Sequence, residues 1–192
     1  DIFLRRDNLK ISIIGLGSVG RAAKLGLGEF HEVSGYDIDG RGDWNEALSS
    51  ELAFVCVNTD AAEDSSLDMS NVIDVCSKLS EDEYSGLVVV KSTLQPGTMD
   101  LIESEHPNLR LTYMPEFLRE RDAVEWFAEP DRIVVSGEKE DVELALSGFE
   151  WVSKSVPRLH MKHLEAELGK LAHNTYIATK VTFTCEIERI AK

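Results

Sequence analysis

Short runs of apolar, β-branched residues alternate with longer stretches of mixed polarity along most of this chain. The short runs predict strands near residues 10–14, 32–36, 52–57, 86–91, 109–113 and 131–136. The stretches between them predict helices near 18–29, 69–80, 97–105 and 139–150. Strands that are apolar on both faces belong in a parallel sheet covered by helices. Repeated strand–helix alternation predicts an α/β fold with a doubly wound, mostly parallel sheet. Ligands of such sheets sit at the carboxyl ends of the strands, so the loops after residues 14, 36, 57, 91 and 113 are where chemistry is expected.

After Pro157 the pattern changes to one long helix, from about 162 to 191, interrupted only by Gly169. Leu164, Leu168, Leu171, Ile177, Val181, Ile187 and Ile190 fall mostly on one stripe of it. At ~1.5 Å per residue the helix would span about 45 Å, more than one small domain can cover. It runs to the last residue with no capping glycine, and the first residue is not Met. These features predict a piece of a longer protein whose helix packs on a second domain, a partner subunit, or both.

Between the first strand and the first helix lies Gly15-Leu16-Gly17-Ser18-Val19-Gly20, a G-x-G-x-x-G loop. A dinucleotide pyrophosphate requires this order. Gly15 permits a tight turn, Gly17 lets the backbone approach the phosphates, and Gly20 lets the helix lie close to the sheet. The helix N-terminus, at Ser18 and Val19, offers backbone N–H groups and a partial positive charge. The second strand ends in Asp37, 17 residues after Gly20, placed to accept from adenosine ribose hydroxyls and to repel the 2′-phosphate of NADP. NAD is therefore the expected cofactor of a Rossmann-like domain over residues 1–157, with the start of a central helix over 158–192. The other reading of the same glycines is a strand-to-helix turn that binds nothing.

Composition narrows the classes further. Hydrophobic residues make up 43 %, enough for a packed core. The formal net charge of −15 argues against nucleic-acid and membrane surfaces as partners, though not against an anion held locally. There is no signal-peptide-like or membrane-spanning apolar run. Cys56, Cys76 and Cys185 form no C-x-x-C pair and fit a reducing, cytoplasmic setting. Cys56, inside an apolar strand, reads as a small buried hydrophobe. His106, His160, His163 and His173 have no ligand spacing with one another, so no metal is expected.

Four further strings accompany the glycine loop: Val55-Cys56-Val57-Asn58-Thr59, Lys91-Ser92-Thr93-Leu94-Gln95-Pro96-Gly97-Thr98, Met114-Pro115-Glu116-Phe117-Leu118-Arg119-Glu120, and Glu167-Leu168-Gly169-Lys170-Leu171-Ala172-His173-Asn174. In this order they resemble the N-terminal half of the UDP-glucose/GDP-mannose dehydrogenase family, over nearly the whole chain. The resemblance implies oxidation of C6 of a nucleotide-linked hexose from alcohol to carboxylate with two NAD, as from UDP-glucose to UDP-glucuronate. It implies that Gly15, Gly17, Ser18, Val19, Gly20 and Asp37 hold NAD, with Thr59, Thr93 and Glu120 on its nicotinamide side. Thr93 would also order a water near C6. Glu116, Phe117, Leu118, Lys170 and Asn174 would contact the substrate, and Glu120 would be the base in thioester hydrolysis. Lys170 and Asn174 would stabilise oxyanions at C6, and the family dimerises through the region of the 162–192 helix.

The residue chemistry agrees with these roles. Lys170 and Asn174 are four apart and share one helix face, so an ammonium and an amide can converge on one oxygen. Pro96-Gly97 opens a helix at Thr98, whose hydroxyl is expected to cap it and whose N-terminus is a second place for phosphate or ribose contacts. Plainer readings stand beside these. Lys170 and Asn174 could be solvated helix residues, Glu116 and Arg119 a loop ion pair of ~0–1 kcal/mol, and Thr93 a strand end.

The sequence also departs from the family. The nucleophilic cysteine in a G-G-x-C-x-x-K-D setting does not occur in it. Without a thiolate no thioester forms, so the chain is expected to be an N-terminal fragment that is inactive alone, without the UDP-binding C-terminal domain. The segment from Asp39 to Glu51 is short, so the sheet is expected to lack a strand and the adenine side to be open. Met114 replaces the usual Ser or Asn, and Asn58-Thr59-Asp60 lacks the usual prolines. Two other readings remain: an NAD domain like those of 6-phosphogluconate or 3-hydroxyacid dehydrogenases, which lack P-E-F-L-R-E, and a non-catalytic NAD-binding or dimerisation module.

Overall fold

The six predicted strands are present as β1 (Lys10–Ile14), β2 (Glu32–Tyr36), β3 (Leu52–Val55), β4 (Leu87–Val90), β5 (Arg110–Tyr113) and β6 (Ile133–Gly137), joined by β7 (Arg158–Met161). They belong to a computed structural model that describes residues 8–64, 66–117 and 120–192, the side chain of Glu120 excepted. The sheet order is β2-β1-β3-β4-β5-β6-β7. The first five strands are mutually parallel; β6 runs antiparallel to β5 and β7 parallel to β6.

The helices are α1 (Ser18–Gly28), α2 (Trp44–Leu48), α3 (Ser70–Glu81), α4 (Thr98–Glu105), α5 (Ala123–Ala128), α6 (Lys139–Ser147) and α7 (His163–Ala191). Period-two alternation divides each central strand between two cores. Ile11, Ile13, Phe54 and Val89 face α1, α5 and α6, where Leu27, Phe127 and Ala145 meet them. Ile14, Val55, Val88 and Val90 face α2, α3 and α4, where Ala47, Val72, Leu79 and Met99 meet them. Covered on both faces, β3 and β4 are buried at every residue. After β2 the chain crosses back to the other side of β1, and this reversal opens a crevice at the carboxyl ends of β1 and β3.

The segment from Asp39 to Glu51 adds no strand, so β2 is the sheet edge. It forms α2 instead, started by Asp43, whose carboxylate accepts the Asn45 N–H at 2.9 Å. Trp44, at the start of α2, packs edge-on to Tyr36 at the end of β2, with ring centroids 5.0 Å apart.

α7 is anchored only near its start. Glu165 accepts the Lys162 N–H at 2.9 Å, and Ala166, Glu167 and Lys170 are its buried residues. Every residue from Asn174 onward is exposed, including Tyr176, Ile177, Val181, Phe183, Ile187 and Ile190. No described helix is long and apolar enough to cross a membrane.

Candidate active site

The glycine loop leaves β1 through Gly15, whose φ of +92° is open to glycine alone at little cost, and a Cβ there would lie 2.8 Å from the Cys56 carbonyl. Gly15 donates its N–H to the Tyr36 carbonyl at 2.9 Å. A Cβ on Gly20 would sit 1.8 Å from the Gly15 carbonyl oxygen, so only glycine lets α1 lie this close to the turn. Gly17 differs: the nearest atom to its missing Cβ is Asn58 Oδ1, at 3.7 Å. Its open side borders two clefts, of about 430 and about 310 Å³, that share Gly17, Cys56, Val57 and Asn58.

The larger cleft ends at Asp37, Ile38, Trp44 and Lys78. The Asp37 carboxylate is already engaged: Oδ2 accepts from Leu16 N–H at 2.6 Å and from Arg41 at 3.2 Å. Arg41 in turn donates to the Leu16 carbonyl at 3.0 Å. Oδ1 of the same carboxylate also accepts the Asp39 N–H at 3.3 Å, so of its about four acceptor positions one is left for a ligand hydroxyl. Ile38 is 94 % exposed beside it. Lys78 Nζ stands 4.2 Å from the Trp44 ring centroid and 5.4 Å from that of Tyr36. Space at Gly17, the N-terminus of α1 beside it and an acceptor at the far wall together fit a dinucleotide.

The smaller cleft gathers Ser18, Val19, Thr59, Thr93, Glu116 and Lys170. Ser92 ties the two strand ends below it, donating its hydroxyl to the Val57 carbonyl at 2.6 Å. Lys170 donates to the Glu116 backbone carbonyl. Burial pulls its pKa down to about 8, the attraction of Glu116 only partly offsetting it. The Phe117 ring lies between Lys170 and Arg132, 5.0 and 5.1 Å from its centroid, with His173 at its edge. Asn174 lies one turn beyond Lys170, exposed and outside the cleft lining. Leu118 and the side chain of Glu120 lie outside the described residues.

Two expectations about α4 are overturned. The start of α4 is not an anion site, because the Glu167 carboxylate occupies it, accepting the Gly97 N–H at 2.6 Å and the Met99 N–H at 2.8 Å. The Thr98 hydroxyl does not cap it either, since it donates to the Gln95 carbonyl at 2.7 Å. Sequence reasoning also passed over Lys91. Its side chain is buried, 2.9 Å from Glu116 Oε2. The only signal was its place next to Ser92-Thr93, since nothing local marks a lysine as buried.

Cys56 borders both clefts but cannot serve as a nucleophile, because burial pushes its thiol up to about 12. Cys76 is buried and likewise raised to about 12. Among the described residues no cluster of His, Cys, Asp and Glu is arranged to hold a metal ion.

Known proteins match this chain in sequence and fold. The family described as "UDP-glucose/GDP-mannose dehydrogenase family, NAD binding domain" matches residues 41–150. A UDP-glucose 6-dehydrogenase of Rickettsia felis is 34 % identical over 74 % of this chain and 34 % of its own length. The structure of a UDP-glucose dehydrogenase from Pyrobaculum islandicum superposes with a TM-score of 0.83 at 28 % identity, over 97 % of this chain and 54 % of its own. That of a GDP-mannose dehydrogenase from Pseudomonas aeruginosa gives 0.80 at 26 % identity, over 93 % and 52 %. The chain thus spans about a third to about half of these relatives.

Proposed function

Because this chain belongs to the UDP-glucose/GDP-mannose dehydrogenase family, we propose that it is the NAD-binding part of a nucleotide-sugar 6-dehydrogenase. The observation that carries the reading is the pair of joined clefts, which brings the open face of Gly17, Asp37, Thr59, Thr93, Glu116 and Lys170 along one trough.

NAD, when bound, supplies the acceptor for the two electrons and the proton that leave the carbinol carbon. Gly15, Gly17, Ser18 and Val19 would hold its pyrophosphate through backbone N–H groups, Gly20 keeping the helix close behind them. Asp37 would accept from the adenosine ribose, and Thr59 and Thr93 would line the nicotinamide end. Lys170 would donate to the substrate oxygen, and with a pKa of about 8 it can give up and regain a proton near neutral pH. A cation in a partly dry cleft stabilises a developing oxyanion far better than in water. Asn174 would join Lys170 at that oxygen once substrate is bound. Glu116, Phe117 and Leu118 would contact the sugar nucleotide, and Glu120 would act as base.

The second oxidation needs a thiolate, which neither buried cysteine supplies, so this chain alone is proposed to be inactive. Residues 1–157 would form the cofactor domain and 158–192 the start of a dimerising central helix, working in the cytoplasm. Calorimetric titration with NAD, NADP and UDP-glucose tests the reading. The expected result is binding of NAD alone, weakened in Asp37→Ala; a chain that binds no NAD would overturn it.

A further inference from the structure

Two lysines share Glu116 and take different parts of it. Lys91 places Nζ 2.9 Å from carboxylate Oε2 and also donates to the Met114 carbonyl at 3.2 Å. The other oxygen, Oε1, accepts the Phe117 N–H at 3.0 Å. Lys170 meets only the backbone carbonyl of the same residue. The Lys91 ammonium is wedged behind the glutamate over Phe127 and Phe149, 5.6 and 5.7 Å from their ring centroids. Both partners are largely removed from water, and separating them would strand a buried charge, so the ion pair holds both in place.

Other charges near Lys170 are directed elsewhere. Glu167, on the preceding turn of α7, is spent on the start of α4. His173 faces the Phe117 ring edge, and Arg132 lies over that ring paired with Asp131 at 2.8 Å. Among the described residues, Lys91, Glu116 and Lys170 are the charged side chains that line the smaller cleft. Among the described side chains the Glu116 carboxylate is the one anion lining this cleft, and Lys91 holds it.

We propose that Lys91 is a positioning residue: by pairing with the Glu116 carboxylate it keeps that carboxylate from bonding Lys170 directly and leaves the Lys170 amine to exchange a proton with a group bound in the cleft. The inference rests on the reading of Lys170 as the group that serves the substrate oxygen. Its test needs neither cofactor nor turnover, so the two can fail separately.

The experiment follows the ¹³Cε resonances of ¹³C-lysine-labelled chain by NMR against pH, with Lys170 assigned through Lys170→Arg. The wild-type midpoint is expected at about 8. Lys91→Met frees the carboxylate to turn to Lys170, and the midpoint should rise by about one unit or more. Lys91→Gln removes the competing charge but keeps a polar group for the carboxylate, so it should move the midpoint in the same direction by a smaller amount, and it serves should Lys91→Met fail to fold. In Lys91→Met/Glu116→Gln no carboxylate remains to be captured, and the midpoint should return to near the wild-type value. Lys91→Arg should leave it there. A purely structural role for Lys91 predicts equal midpoints in the single and double variants. That result, or a Lys170 midpoint that Lys91→Met and Lys91→Gln leave in place, would overturn the proposal.

Discussion

The carboxylate of Glu167 accepts the N–H of Gly97 at 2.6 Å, across 70 residues of sequence. With the Met99 N–H at 2.8 Å it satisfies donors that the first turn of α4 cannot satisfy within the helix. The same contact closes that helix start to phosphate and fixes the α7 backbone one turn before Lys170. A negative charge there is also favoured by the α4 dipole.

Glu167→Ala should therefore be costly. It removes two charge-assisted bonds and strands two buried donors, a loss of about 3–4 kcal/mol by urea unfolding. Glu167→Gln adds a pH signature. Burial raises the Glu167 carboxyl above its ordinary 4.5, outweighing the two amides that lower it. With the folded pKa the higher, the folded chain holds the proton more tightly, so the group's contribution is full below the unfolded pKa and is lost as pH rises through the folded one. The stability advantage of wild type over Glu167→Gln should shrink from pH 4.5 towards pH 7; an advantage that grows over that range would contradict the assignment.

Asp37→Ala should weaken NAD binding by about 10- to 100-fold, the worth of one charge-assisted bond to a ribose hydroxyl. Because Asp37 also accepts from Leu16 and Arg41, the loop itself should loosen. Asp37→Asn separates the effects, since its amide oxygen can still accept the Leu16 N–H. Calorimetry should place its affinity between those of wild type and Asp37→Ala.

How much of this was legible in the sequence depended on the range of the interactions. β1 matches its predicted limits because two-faced burial and the Gly15 turn are encoded locally, and β2, an edge strand buried only at Gly35, matches its own. Two short helices and β7 were not expected. α2 depends on the Asp43 cap and on Ala47 reaching the core, and β7 is a four-residue edge strand without a β-branched residue. The strand order brings the loops after β1, β3, β4 and β5 together, so Gly17, Thr59, Thr93 and Glu116 could be anticipated to share a cleft, whereas Lys170, on α7, was anticipated from the family resemblance. Lys91 and Glu167 could not. A buried charge is recognised by its partner, and the partners lie 25 and 70 residues away.

Two glycine substitutions should move stability in opposite directions. A Cβ at Gly20 meets the Gly15 carbonyl oxygen at 1.8 Å, so Gly20→Ala should cost about 3 kcal/mol or more and abolish NAD binding. A Cβ at Gly169, inside α7, meets nothing within 4 Å, so Gly169→Ala should stabilise by about 0.5–1 kcal/mol. Urea midpoints of the two variants decide both.

The exposed apolar side chains of α7 should drive self-association. Ile177 and Val181, one turn apart, are 47 % and 58 % exposed, and burying such a stripe against a copy is worth about 25 cal/mol per Å². Sedimentation velocity should show a concentration-dependent dimer, and Ile177→Glu/Val181→Glu should shift it to monomer without changing NAD affinity. A wild-type chain monomeric at high concentration would exclude this surface as a dimer interface.

The anchoring of α7 near one end has a mechanical consequence. With its fulcrum at Glu167 and Lys170, the remaining stretch to Ala191 is a lever arm of roughly 30 Å at ~1.5 Å per residue. A tilt of about 5° at the fulcrum displaces the far tip by roughly 3 Å at that rise per residue. Run in reverse, whatever seats on the tip exerts its torque on the turn that carries Lys170.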